Sequence, residues 1–205
     1  MTTYYISVDV ETASLIPNTY SLLSVGAVLM DDEGYEHTFH SVMGGIQTSD
    51  IEWEPATYDW WIHPDQTDAR HRINALASHV VPYKTQLLNA AEEFYDWLWA
   101  IKGEGGNLMF VGWPASFDYP YCQLFFKNAG LDNPFNYRTV DVKSYACGVL
   151  GLPFDCDRSE LPDWFEPVPE MPHDALSDAI AQAVVFGRLM NYREGNTWKT
   201  TTMTK

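Results

Sequence analysis

Three strand-like segments, residues 4–10, 22–30 and 35–42, crowd the first 42 of 205 residues. Each is rich in β-branched and aromatic residues and bounded by turn formers. The joins are the eleven residues 11–21 and the tetrapeptide "DDEG" at 31–34. Both are shorter than the dozen or so residues that a parallel crossover needs, so the three segments are expected to form an antiparallel meander. The pattern then changes. Pro55 opens a helix that Pro64 ends, a short helix follows over residues 68–77, and a longer one over 85–102 stops at Gly103.

"NLMFVGW" at 107–113 is apolar throughout, as expected of a strand covered on both faces. A helix over 117–128 closed by Gly130, a weak strand in "YRTVDV", a helix over 142–150, an irregular proline-rich loop over 151–172 and a last helix capped by Asp174 complete the order. The core stripe expected for that last helix is Leu176, Ile180, Ala183, Val184, Gly187 and Met190. The result is an α/β fold: a mixed sheet, antiparallel in its first three strands and parallel after them, with helices packed on it. Residues 1–195 read as one domain and 196–205 as a frayed tail.

With 28 acidic against 12 basic residues, net charge −16, the chain repels polyanions. That weighs against a protein coating duplex or long nucleic acid through many phosphate contacts. It leaves room for an enzyme holding one strand end through divalent metals, because bound cations invert the electrostatics of a carboxylate cluster. Cys122, Cys147 and Cys156 are too scattered for a disulfide framework. With no leader-like N-terminus and no apolar run long enough to span a bilayer, the expectation is a cytoplasmic protein without membrane contact.

Asp9 and Glu11 lie two apart at the end of an apolar strand and therefore on one face. They are either a solvated strand end or a ligand pair for hard divalent cations, which favour carboxylate oxygen. Asp118 is either an acid favoured by the helix dipole or, with strand 108–112 beside strand 4–10, a third member of that group. Asp178 reads as another helix-start acid or as a fourth, pointing from the last helix to the first strand. His173 is a surface histidine or a general base whose loop lets it swing over the site.

"VDVET" at 8–12, "SFDYPY" at 116–121 and "HDALSDA" at 173–179 resemble, in order, the three motifs of the DnaQ-like (DEDDh) 3′-5′ exonucleases of the ribonuclease H fold. The stretch "TYDWWIHPDQTDARHRI" is similar to the small single-domain bacterial and phage exoribonuclease-like branch, related to a mycobacterial polyadenylate-trimming enzyme. The resemblance implies that Asp9, Glu11, Asp118 and Asp178 ligate two divalent cations, Mg²⁺ or Mn²⁺, and that His173 is the general base. It implies release of 5′-mononucleotides from the 3′ end of a single strand, with RNA favoured over DNA. Many relatives carry asparagine where this chain has Pro114. Thr12, Leu15, Ile16, Trp61, Trp113 and Tyr119 are the substrate-contact candidates, with Trp60 a further stacking surface. Arg70, Arg72, Lys84 and Arg138 are candidate phosphate contacts. An exodeoxyribonuclease and a non-catalytic binding module are the competing readings; the module's signature would be loss of one of the five site residues, and none is lost. The aromatic surplus is compatible with a homodimer.

Overall fold

The computed structural model describes residues 2–31, 35–77, 80–156, 160–162 and 172–193. Five strands form one sheet in the order β3-β2-β1-β4-β5. They are β1 (Thr3–Thr12), β2 (Leu22–Leu29), β3 (Thr38–Val42), β4 (Asn107–Gly112) and β5 (Thr139–Asp141). β1 pairs antiparallel with β2, and β2 with β3, while β4 and β5 join parallel on the other side of β1, as the short and long connections dictate.

The helices are α1 (Pro55–Ile62), α2 (Thr67–Leu76), α3 (Tyr83–Lys102), α4 (Ala115–Asn128), α5 (Val142–Leu150) and α6 (Ala175–Arg193). A single 3₁₀ turn, Pro64–Gln66, links α1 to α2. No helix among the described residues is long and apolar enough to cross a membrane.

The pleat of β1 divides the molecule. Ile6, Val8 and Val10 point into the larger core with Phe94 and Leu98 of α3 and Phe126 of α4. The odd residues face α6. Tyr5 meets Phe186, Ser7 Oγ donates to the Ala179 carbonyl at 2.7 Å, and Asp9 meets Gln182. Much of the aromatic surplus is interior: Trp61, Phe94, Phe110, Phe126, Phe135 and Tyr121 are fully buried.

Several expected boundaries shift. β1 runs on through Glu11 and Thr12, because β2 still pairs with it there. The third strand begins at Thr38, since Tyr35 sits at a φ of 66°, off any strand. α4 starts at Ala115, where the Asp141 carboxylate accepts the free Ala115 N–H at 2.8 Å. Residues 32–34 of the expected turn, most of the 151–172 loop and the tail beyond 193 lie outside the described residues. Two of the scattered cysteines meet: the Cys147 and Cys156 Sγ atoms are 3.1 Å apart as thiols.

The stripe expected on α6 is rotated. Leu176, Ile180, Gly187 and Met190 are only half-buried, whereas Ala175, Asp178, Ala179, Gln182, Val185 and Leu189 face inward with Ala183 and Val184. The cause is closeness. Gly26 pairs with Asp9 across the β1–β2 ladder, and a Cβ there would lie 2.2 Å from the Ala175 carbonyl carbon and the Leu176 nitrogen. The backbone of α6 therefore rests directly on β2, which selects small residues at its first turns.

Candidate active site

β1 pairs with β2 as far as Thr12 but with β4 only as far as Ser7. Residues 8–12 thus project past their parallel neighbour, leaving a backbone edge that something else must satisfy. Asp118, in the first turns of α4, does so: its Oδ1 accepts the Val10 N–H at 3.3 Å. From the opposite side α6 brings Asp178, fixed because Asp174 caps the helix by accepting from the Ser177 N–H at 3.0 Å and its hydroxyl at 2.7 Å. Asp9, Glu11, Asp118 and Asp178 are all buried. Ligand atoms of Glu11, His173 and Asp178 lie within 4.8 Å of one another.

So many carboxylates in one dry place cannot all ionise alone. Burial, then the charges of Asp118, Glu11 and Asp178, push the Asp9 carboxyl well above its ordinary range. Glu11 is raised likewise by burial, then by Asp178 and Asp118. Burial pushes Asp118 up to about 8 against the Val10 N–H, which favours the ionised form. The Asp118 Oδ2 is buried with no hydrogen-bond partner among the described residues. An orphaned carboxylate oxygen beside other crowded carboxylates is what a site for hard divalent cations leaves when read without them, so the donor set fits such ions.

Gln182, which sequence reading passed over, belongs to this group. It is fully buried and its Nε2 donates to Asp9 Oδ1 at 2.6 Å. The signal was its place four residues after Asp178, on the same helix face. Glu54 was missed too. Its Oε2 accepts the Leu15 N–H at 2.8 Å and the Thr57 hydroxyl at 3.0 Å, tying the loop after β1 to α1, and those bonds hold its pKa low.

Beside the acids opens a cleft of about 400 Å³ lined by Glu11, Thr12, Leu15, Trp60, Phe117 and His173 among others. Leu15 at 64% and Trp60 at 38% exposure present apolar surface to solvent. Trp61 also borders the cleft, but it is buried and its Nε1 donates to the Thr12 carbonyl at 3.0 Å, anchoring β1. Ile16 is 73% exposed and outside the cleft lining. Trp113 packs near α5 and α6, and Tyr119 turns to Phe110 and the Asn136 carbonyl, so neither lines the cleft.

The candidate phosphate contacts scatter. Arg70 donates to the Trp61 carbonyl at 3.0 Å, Lys84 lies over the Tyr20 ring, and Arg138 lies beside Tyr137. Arg72 alone reaches the site, donating to the carbonyl of Pro172, and its charge opposes the rise at Glu11. His173 follows directly, with burial and then Arg72 holding its pKa below the ordinary value.

A family model described as "3′-5′ exoribonuclease Rv2179c-like domain" matches residues 4–190. The 3′-5′ DNA exonuclease Cap18 of Escherichia coli is 27% identical over 190 residues, 89% of each chain. Among solved structures, the nuclease domain of 3′hExo, a DEDDh family member bound to rAMP, superposes with a TM-score of 0.60 at 11% identity, over 96% of this chain and 94% of that one. The zinc-bound complex of E. coli exonuclease I with single-stranded DNA superposes at 0.60 and 14% identity, over 95% of this chain and 42% of the other. These likenesses establish the ribonuclease H-like fold that the strand order already indicated. With the family match spanning nearly all of the described elements, the chain belongs to the 3′-5′ exoribonuclease Rv2179c-like family and is a phosphodiester hydrolase of the DEDDh 3′-5′ exonuclease kind.

Proposed function

We propose that this protein removes nucleotides one at a time from the 3′ end of single-stranded RNA, releasing 5′-mononucleotides by hydrolysis that requires two divalent cations, Mg²⁺ or Mn²⁺. The observation that carries the reading is the meeting of Glu11, His173 and Asp178 within 4.8 Å at the mouth of an apolar cleft. Asp118 stands close enough to Asp9 to raise the pKa of the Asp9 carboxyl.

Asp9, Glu11, Asp118 and Asp178 would hold the cations. When bound, such ions acidify a water molecule and neutralise charge on the phosphate and the leaving oxygen. The chain's own residues supply the rest. His173 has a depressed pKa and so is neutral near pH 7, able to take a proton from the attacking water. Leu15, Trp60 and Phe117 offer the terminal nucleoside an apolar seat that excludes water, with Thr12 at its wall and Ile16 outside its lining. Gln182 keeps Asp9 oriented. The charge of −16 and the scattered basic residues suit a grip on a strand end rather than a long track.

RNA rests on the family description. DNA is a second reading, favoured by the curated relative, a DNA exonuclease matched over 89% of its length. Matched RNA and DNA oligomers with label at either end, given Mg²⁺ or Mn²⁺, separate the two. Stepwise 3′ shortening of RNA in preference to DNA is expected, abolished by Asp178→Asn and reduced about 10²- to 10⁴-fold by His173→Ala. Faster digestion of DNA would transfer the assignment to the second reading, and undiminished release by both variants would overturn the site.

A further inference from the structure

His173 is not a free loop side chain. Its backbone φ of 53° lies in the left-handed region, which residues with a Cβ adopt uncommonly. Three contacts surround it. On its C-terminal side, Asp174 is committed to capping α6. On its N-terminal side, the guanidinium of Arg72, a hundred residues earlier on α2, donates to the carbonyl of Pro172. Against the imidazole itself stands Trp60 of α1, ring centroids 4.8 Å apart and planes at 85°.

The two helices that supply these contacts are themselves tied down. Arg70 of α2 donates to the carbonyls of Trp61 and His63 at the end of α1, and Trp61 donates to Thr12 of β1. The α1–α2 pair is thereby fastened to the strand that carries Asp9 and Glu11. A displacement of the pair would be felt at both partners of His173 together.

We propose that Arg72 and Trp60 are positioning residues that seat His173 over Glu11 and Asp178 before any substrate arrives, Arg72 by fixing the backbone and Trp60 by fixing the ring. The inference rests on the reading of His173 as general base. It gives the α1–α2 pair a catalytic purpose, and it makes Arg72 an anchor for the base in place of a phosphate contact. One donor of the guanidinium is spent on a backbone carbonyl, and that bond is available with no substrate present.

Steady-state kinetics on a 3′-labelled strand in saturating Mn²⁺ tests this with four proteins: wild type, Arg72→Ala, His173→Ala and the double variant. Arg72 is exposed, so its truncation leaves the core intact, which thermal melting would verify. Arg72→Ala is expected to lower kcat about 10- to 100-fold, with KM and the salt dependence of binding unchanged and with partial recovery in Arg72→Lys. If Arg72 acts through His173, the double variant is no slower than His173→Ala alone. In the metal-free protein, Trp60→Leu should move the His173 ring-proton resonances out of the indole's ring-current shift.

A rise in KM with kcat retained, and a salt slope reduced by about 1, would make Arg72 a phosphate contact and overturn the proposal. So would a further equal loss on the His173→Ala background, or unmoved His173 resonances in Trp60→Leu. Full activity in His173→Ala would instead remove the general-base reading beneath it, a separate failure visible in the same data.

Discussion

Replacing Asp118 by asparagine should stabilise the metal-free protein while destroying its activity. In the fold the Asp118 carboxyl is pushed from 3.8 up to about 8, chiefly by burial. At pH 7 the unfolded chain ionises this group freely, whereas the fold must keep it protonated across roughly three pH units. At about 1.4 kcal/mol per unit this costs the native state about 4 kcal/mol. The sign follows from the direction of the shift. An acid raised on folding costs nothing below its unfolded value, costs more as pH rises from about 4 to about 8, and reaches a plateau above that. Asparagine has the same shape and no charge to lose. Its advantage in EDTA should therefore be nearly absent at pH 4, reach about 4 kcal/mol at pH 7 and level off toward about 6 kcal/mol above pH 8. For a chain of this length, about 4 kcal/mol at pH 7 is a rise in Tm of about 8–16 °C. Urea unfolding across pH in EDTA, then in Mn²⁺, reads it directly. Cations should stabilise the wild type far more than the variant, closing the gap. A variant no more stable than wild type at pH 7, or one whose advantage is the same at both ends of the range, would refute the reasoning.

Gln182→Leu removes the amide that orients Asp9, and calorimetry should show Mn²⁺ affinity about 10- to 100-fold weaker; unchanged affinity would remove Gln182 from the site. Gly26→Ala puts a methyl 2.2 Å from the backbone of α6, so denaturant unfolding should show a loss of about 1–3 kcal/mol or more, with reduced turnover because Asp178 is carried by that helix. Wild-type stability and turnover in Gly26→Ala would show that α6 can back away without cost.

The strand order and the acids of β1 were legible because they depend on local signals: short joins, alternating residues, and charges at the end of an apolar run. Local sequence left His173 and Asp178 open to a plain surface or helix-start reading, and it was the resemblance of "HDALSDA" to the third exonuclease motif that drew them to the site. The inward face of α6 was not. Hydrophobicity selects Leu176, Ile180 and Met190, but the packed face is set by how near Gly26 lets the helix approach and by which polar groups meet Ser7 and Asp9. Neither is a property of the α6 sequence alone.

Trp113 and Tyr119 were candidates as aromatic stacking surfaces, yet neither lines the cleft. On a helix the next residue turns about 100° away, so Asp118 can face β1 while Tyr119 faces Phe110. The same rotation separates Trp60, half-exposed in the cleft, from buried Trp61. The contact of Arg72 was hidden for a different reason, since its partner Pro172 is distant in sequence and offers only a backbone oxygen.

The most direct test of a carboxylate cradle for paired cations is anomalous scattering from crystals grown with Mn²⁺ and a nucleoside monophosphate. Two peaks bounded by Asp9, Glu11, Asp118 and Asp178, with the His173 imidazole beside them, are expected. No peak among those side chains, or manganese bound only elsewhere, would contradict it.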